Sequence, residues 1–61
     1  MAVYNIGYFI KQRRIELGIS QEELADGICA SATMSRIEAG ARIPKRETVI
    51  QIFQRLGIPA E

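Results

Sequence analysis

Three observations predict an all-α fold for this 61-residue chain. Apolar residues recur at three- and four-residue spacing, and nowhere do they alternate over strand length with a period of two. Glycines stand where the periodic segments end, at Gly18, Gly40 and Gly57, and a left-handed residue there terminates a helix. Ser20 and Glu23 have the spacing of a capping box, in which each side chain satisfies the other's backbone amide at a helix start.

Helix 1 is predicted from Asn5 or Ile6 to Leu17. Ile6, Phe9, Ile10, Arg14 and Leu17 form its inner face, and Gly18 stops it. Arg14 interrupts an otherwise apolar stripe. Helix 2 starts after Ser20, ends near Asp26 or Gly27, and buries Leu24, Ala25 and Ile28. Helix 3 begins at Ala30 or Ser31 and ends at Ala39, with Met34 and Ile37 inward, because residues three apart share a face. Ala41-Arg42-Ile43-Pro44 is a loop, since a pre-proline residue is pushed into an extended conformation. Helix 4 runs from about Arg46 to Leu56, burying Val49, Ile50, Phe53 and Leu56. Ile58-Pro59-Ala60-Glu61 reads as the opening of another element. The expectation is one domain over residues 1–61, a compact bundle of four short helices.

Composition narrows the chemistry. Nearly half of the residues are apolar, which suits a packed module and not a disordered one. A domain this small buries only about 60% of its unfolded surface, so its stability margin is thin. Cys29 is the sole cysteine and histidine is absent, which excludes an internal disulfide, a zinc site of ordinary ligands and a histidine-based triad. Paired carboxylates in a cleft, a nucleophile with its base and a glycine-rich phosphate loop are not identifiable either. The chain is not expected to be an enzyme, and no cofactor is expected. Apolar runs fall far short of the roughly 18 residues of a membrane span. Without a signal-peptide pattern, a cytoplasmic location is the expectation.

The net charge is only +1, but its distribution is uneven. From Ser31 to Arg46 the chain carries Arg36, Arg42, Lys45 and Arg46 against one acid, Glu38. Lys11, Arg13 and Arg14 form a second basic group, while Glu22, Glu23 and Asp26 gather on helix 2. Helices 2 and 3 fit into too few residues to pack as a long antiparallel pair. Two short helices crossing steeply are the geometry by which a helix-turn-helix, here about residues 20–40, offers its second helix to the DNA major groove.

An ordered set of residues carries a more specific resemblance. Arg14 precedes Gly18; Ile19-Ser20-Gln21-Glu22-Glu23-Leu24-Ala25 follows; then come Ser35-Arg36-Ile37-Glu38-Ala39-Gly40, Pro44 and a closing Leu56-Gly57-Ile58. With these the chain resembles the helix-turn-helix domain of Cro and phage-repressor type transcriptional regulators, from about Ile6 to Ile58. The turn Gly27-Ile28-Cys29-Ala30 is one residue shorter than the family's common form. It is similar to that of regulators that sense peptide pheromones through a C-terminal tetratricopeptide-repeat domain. The resemblance therefore implies either an N-terminal fragment of a longer bacterial or phage-type regulator, the favoured expectation, or a small regulator of the same lineage. It also implies a fifth helix beyond Ile58 and a peptide effector acting through a C-terminal domain.

The resemblance further implies sequence-specific binding of double-stranded DNA, with helix 3, about residues 31–39, in the major groove. It places Ser31, Ala32, Thr33, Ser35 and Arg36 against the bases. It gives Gln21, Arg42, Lys45 and Arg46 to DNA phosphates. Arg36 is the foremost base reader, since a guanidinium donates twice to guanine O6 and N7; a surface ion pair with Glu38 or Glu47 is its alternative role. Arg14 and Glu38 are implied to form a partly buried ion pair with a structural role. Ala30 stands where the family has a capping serine or threonine, so Ser31 is a candidate cap one residue later, and Lys45 replaces the usual cap of helix 4. Cys29 reads as a small buried hydrophobe. A homodimer on a palindromic operator is expected, because one such domain reads one half-site. The competing function is an interaction or dimerisation module of the same fold that does not bind DNA, with Ile52, Ile58 and Val49 as its exposed apolar surface.

Overall fold

The computed structural model of the protein describes residues 6–59. Among them are four helices: α1 (Ile6–Leu17), α2 (Gln21–Ala25), α3 (Ser31–Glu38) and α4 (Arg46–Arg55). No strand occurs among the described residues, and no helix there is long and apolar enough to cross a membrane. Asn5 as a helix start, and Ala60 and Glu61 as the start of a further element, lie outside the described residues.

Local chemistry sets the helix boundaries. The Glu23 backbone amide donates to Ser20 Oγ at 3.0 Å, and the Ser20 amide donates to Glu23 Oε1 at 2.7 Å, so α2 begins with a complete capping box. At the end of α3, Gly40 takes φ +80°. That left-handed turn lets the Gly40 amide donate to the Ile37 carbonyl at 3.1 Å and the Ala41 amide to the Arg36 carbonyl at 2.9 Å. By contrast, α3 begins at Ser31 with Ala30 as an N-cap that has no side-chain hydrogen bond. Ser31 is thus inside the helix and does not move its start. Lys45 likewise leaves α4 without a side-chain cap.

The core is Ile10, Leu24, Ala25, Met34, Ile37, Ile52 and Leu56. Burying each of the large side chains among them stabilises the fold by about 1.5–3 kcal/mol before chain entropy is counted. Met34 and Ile37 face this core from α3, which packs against α1 and α2, while α2 packs against α4. Arg55 joins the last two: its Nη1 donates to the carbonyls of Glu23 (3.1 Å), Leu24 (3.3 Å) and Asp26 (2.6 Å). These are the carbonyls left over where a helix stops, and a cation at a helix C-terminus also meets the favourable end of its dipole.

Two faces differ from the sequence expectation. On α1 the buried line is Gly7 and Ile10, with Arg14 following at the same spacing. Ile6, Phe9 and Leu17 are exposed, the last two by 49% and 43%. The reason is Gly7, whose bare Cα lies against the end of α3; a Cβ there would collide with the Ile37 carbonyl oxygen. Phe9 instead meets Phe53 edge-to-face, ring centres 6.0 Å apart. On α4 the inner face is Ile52 and Leu56, both essentially inaccessible. Val49, Ile50 and Phe53 are half-buried flanks. Residues 52 and 56 lie one turn apart, so when Leu56 faces inward Ile52 must too. Ile52 is therefore no part of an exposed surface. Ile58 is half-buried against the core, as are Ile28 and Cys29 in the α2–α3 turn.

Candidate nucleic-acid interface

The second helix of the α2–turn–α3 unit divides its side chains sharply. Met34 and Ile37 are buried, and the Glu38 side chain is only 2% exposed. Ser31, Ala32, Ser35 and Arg36 are exposed and form one continuous strip, since 32, 35 and 36 are helical neighbours. Thr33 is half-buried. It lines a cleft of about 190 Å³ with Cys29, Ile37, Arg42, Pro44, Lys45 and Thr48. Its side chain thus stands between the outer strip of α3 and the segment that follows.

Arg36 has no carboxylate partner among the described residues. The ion pairs there are Arg13–Glu16 and Arg14–Glu38. Glu38, one candidate partner for Arg36, is fully used from the other side. Its Oε2 accepts from Arg14 Nε at 2.8 Å, and its Oε1 accepts from Arg14 Nη2 at 3.1 Å and from Gln21 Nε2 at 3.0 Å. Arg14 spends its remaining arm on the Ile19 carbonyl at 2.9 Å. One buried carboxylate therefore ties α1, the start of α2 and the end of α3 together. Three charge-assisted or amide hydrogen bonds offset the desolvation of its charge.

This network also answers for Gln21. Its side-chain amide holds Glu38, so one of its two N–H donors is committed to the interior. The backbone amide of Gln21 precedes the first intrahelical bond of α2, Leu24 N–H to Ser20 C=O at 3.0 Å, and points away from the helix body. The Gln21–Glu38 bond was missed from the sequence. Its only trace there is a glutamine at the first position of a helix, which reads equally well as solvated.

Arg42, Lys45 and Arg46 follow α3, all exposed and all without an acidic partner among the described residues. The arrangement brings a strip of small side chains and Arg36 next to a segment with three cations that have no acidic partner among the described residues, Thr33, Arg42 and Lys45 lining one cleft. A shallow outward helix beside unpaired positive charge can lie along a polyanion while its edge groups donate and accept hydrogen bonds. Burial raises the pKa of the Cys29 thiol, with the charge of Arg42 opposing the rise. A protonated, half-buried thiol packs as a small hydrophobe.

A family model described as helix-turn-helix, of the Cro and repressor type, matches residues 10–61. It stands for DNA-binding regulatory domains, which are usually non-enzymatic. Neither the curated proteins nor the solved structures yield a match. The matched stretch covers all of α2, α3 and α4 and most of α1, so the chain belongs to the helix-turn-helix family.

Proposed function

We propose that the chain binds double-stranded DNA sequence-specifically as a transcriptional regulator, with α3 in the major groove. One observation carries the reading. The outward strip Ser31, Ala32, Ser35 and Arg36 is exposed, and neither its arginine nor the three cations that follow it, Arg42, Lys45 and Arg46, has an acidic partner among the described residues. Arg36 reads a base, by preference guanine, through two parallel donors. Ala32 and Thr33 offer methyl groups to thymine, and Ser31 and Ser35 offer hydroxyls that donate or accept. Arg42, Lys45 and Arg46 hold phosphates, joined by the backbone amide of Gln21. In this reading the domain works as a homodimer on a palindromic operator, one copy per half-site. A peptide effector acting through a C-terminal domain is part of the same reading, carried by the Gly27-Ile28-Cys29-Ala30 turn alone.

The interaction-module alternative loses Ile52, at 0% exposure, from its proposed apolar surface, while Tyr8, Phe9, Ile15 and Leu17 of α1 are exposed. A binding-site selection on random duplex tests the DNA reading, run with wild type and Arg36→Ala. Wild type is expected to enrich a site, and the variant to lose preference at one position per half-site while its circular dichroism is unchanged. A contact of this kind discriminates by about 1–3 kcal/mol. Identical preferences at every position would remove Arg36 from base reading. No enrichment together with salt-insensitive binding would remove the DNA function itself.

A further inference from the structure

The outer side of α1 carries an exposed line that the core does not use. Tyr8 is 58% exposed and Ile15 is 53% exposed. Lys11 stands three residues after one and four before the other, so all three share a face. Lys11 is exposed and has no acidic partner among the described residues, Glu16 being held by Arg13. At the C-terminal end of α2 lies the converse surface. Gly27, Ile28, Gln51, Gln54 and Arg55 line an open hollow of about 330 Å³. Asp26, next to Gly27, is exposed, and its carboxylate has no cationic partner among the described residues. Arg55 does not supply one: its Nη1 is spent on the backbone carbonyls of Glu23, Leu24 and Asp26.

The two surfaces match in charge and in spacing. Ile15 lies about 6 Å along the helix axis from Lys11, and Ile28 lies within about 7 Å of Asp26 along the chain. With Lys11 at the Asp26 carboxylate, the Ile15 side chain reaches the hollow beside Ile28. We propose that copies of this chain associate through these two unlike surfaces, the α1 line of Tyr8, Lys11 and Ile15 on one copy seated on Asp26 and the hollow of another. The occupant is a second copy because every chain carries both halves. Pairing α1 with α1 instead is unfavourable. An antiparallel pair that sets Tyr8 against Ile15 brings the two Lys11 side chains together near its twofold axis, where like charges repel. None of these residues belongs to the outward strip of α3, so the contact leaves that strip uncovered and the inference does not depend on the DNA reading. A contact of one helical line and one hollow belongs to the small, transient class.

The test is sedimentation equilibrium of the purified chain without DNA, up to about 1 mM, where a contact of millimolar Kd is populated. The weight-average mass of wild type is expected to rise above that of one chain. Lys11→Glu and Asp26→Lys should each stay monomeric over the same range, because the altered pair sets like charges face to face. The double variant Lys11→Glu, Asp26→Lys should associate again. So should an equimolar mixture of the two single variants, in which every contact between unlike chains joins opposite charges. Ile15→Ser should need about tenfold more protein or more to reach the wild-type mass. Circular dichroism checks that each variant is folded. A wild-type mass that stays that of one chain overturns the inference. So does a folded double variant that remains monomeric, since the charges would then not be facing each other. So does an Asp26→Lys chain that associates like wild type, which would place the seam elsewhere. Duplex binding is read separately by the site selection, so either result leaves the other standing.

Discussion

Two basic groups of the chain, Lys11, Arg13 and Arg14 on α1 and Arg42, Lys45 and Arg46 from the α3–α4 loop to the first residue of α4, are alike in charge and each fall within a few residues of sequence. The surroundings of their arginines are opposite. Arg14 is spent on Glu38 and the Ile19 carbonyl, and Arg13 donates to the Leu56 carbonyl at 3.3 Å and to Glu16 at 3.2 Å. No member of the second group has an acidic partner among the described residues. Arg13 and Arg14 therefore hold elements of the fold together, Lys11 stays exposed beside them, and the second group is left to meet something outside. A cation's role is set by what is within reach of its nitrogen atoms, which neither net charge nor local charge density records.

The strongest way to break the contrast is to remove Arg14. Arg14→Ala leaves Glu38 buried, with Gln21 as its remaining partner, and should destabilise by about 3–5 kcal/mol. For a domain this small each kcal/mol corresponds to about 4–8 °C, so thermal denaturation should show a fall in Tm on the order of 15 °C or more. A shift no larger than that of Arg42→Ala would mean the pair contributes little, and the two groups would no longer differ.

A second substitution sharpens the comparison by acting on distance. Gly7→Ala should gain about 1 kcal/mol of helix propensity and still destabilise, by about 3 kcal/mol, because its Cβ meets the backbone of Ile37 and Glu38. The expected relaxation moves α1 away from the end of α3 and lengthens the Arg14–Glu38 contact. Denaturant unfolding of the Gly7→Ala, Arg14→Ala double variant should therefore show less than the sum of the single losses. Strict additivity would separate the glycine contact from the ion pair.

The smallest effects on stability belong to the other group. Arg42→Gln and Arg46→Gln should each change the unfolding free energy by no more than about 0.5 kcal/mol. On duplex DNA the same changes should lower the slope of log binding constant against log salt by about 0.9 for each phosphate no longer neutralised. An unchanged slope would make these cations a solvated surface, and the contrast with α1 would then lack a functional side.

Much of the fold was legible because the signals are local. Ser20 and Glu23 sit within one turn, so their mutual capping depends on nothing distant. Gly40 closes α3 by a bond from its own amide three positions back and by letting the Ala41 amide reach five positions back. The candidate interface was partly legible for the same reason: once Met34 and Ile37 are inward, the geometry of a helix puts Ser35 and Arg36 outward. Thr33 was less so, because its half-burial comes from Pro44 and Thr48 across the cleft.

The amino-acid order by itself determined the helices, their ends and, through the family's motif, the pairing of Arg14 with Glu38. Only the tertiary structure decided which stripe of α1 is inside, that Ile52 is core, that Gln21 turns its side chain inward and that Arg55 closes α2. The physical reason is range. Caps and left-handed glycines are settled by sterics and hydrogen bonds within a few residues. A buried face is settled by how closely two distant backbones can approach, and on α1 a single absent Cβ, at Gly7, sets that approach.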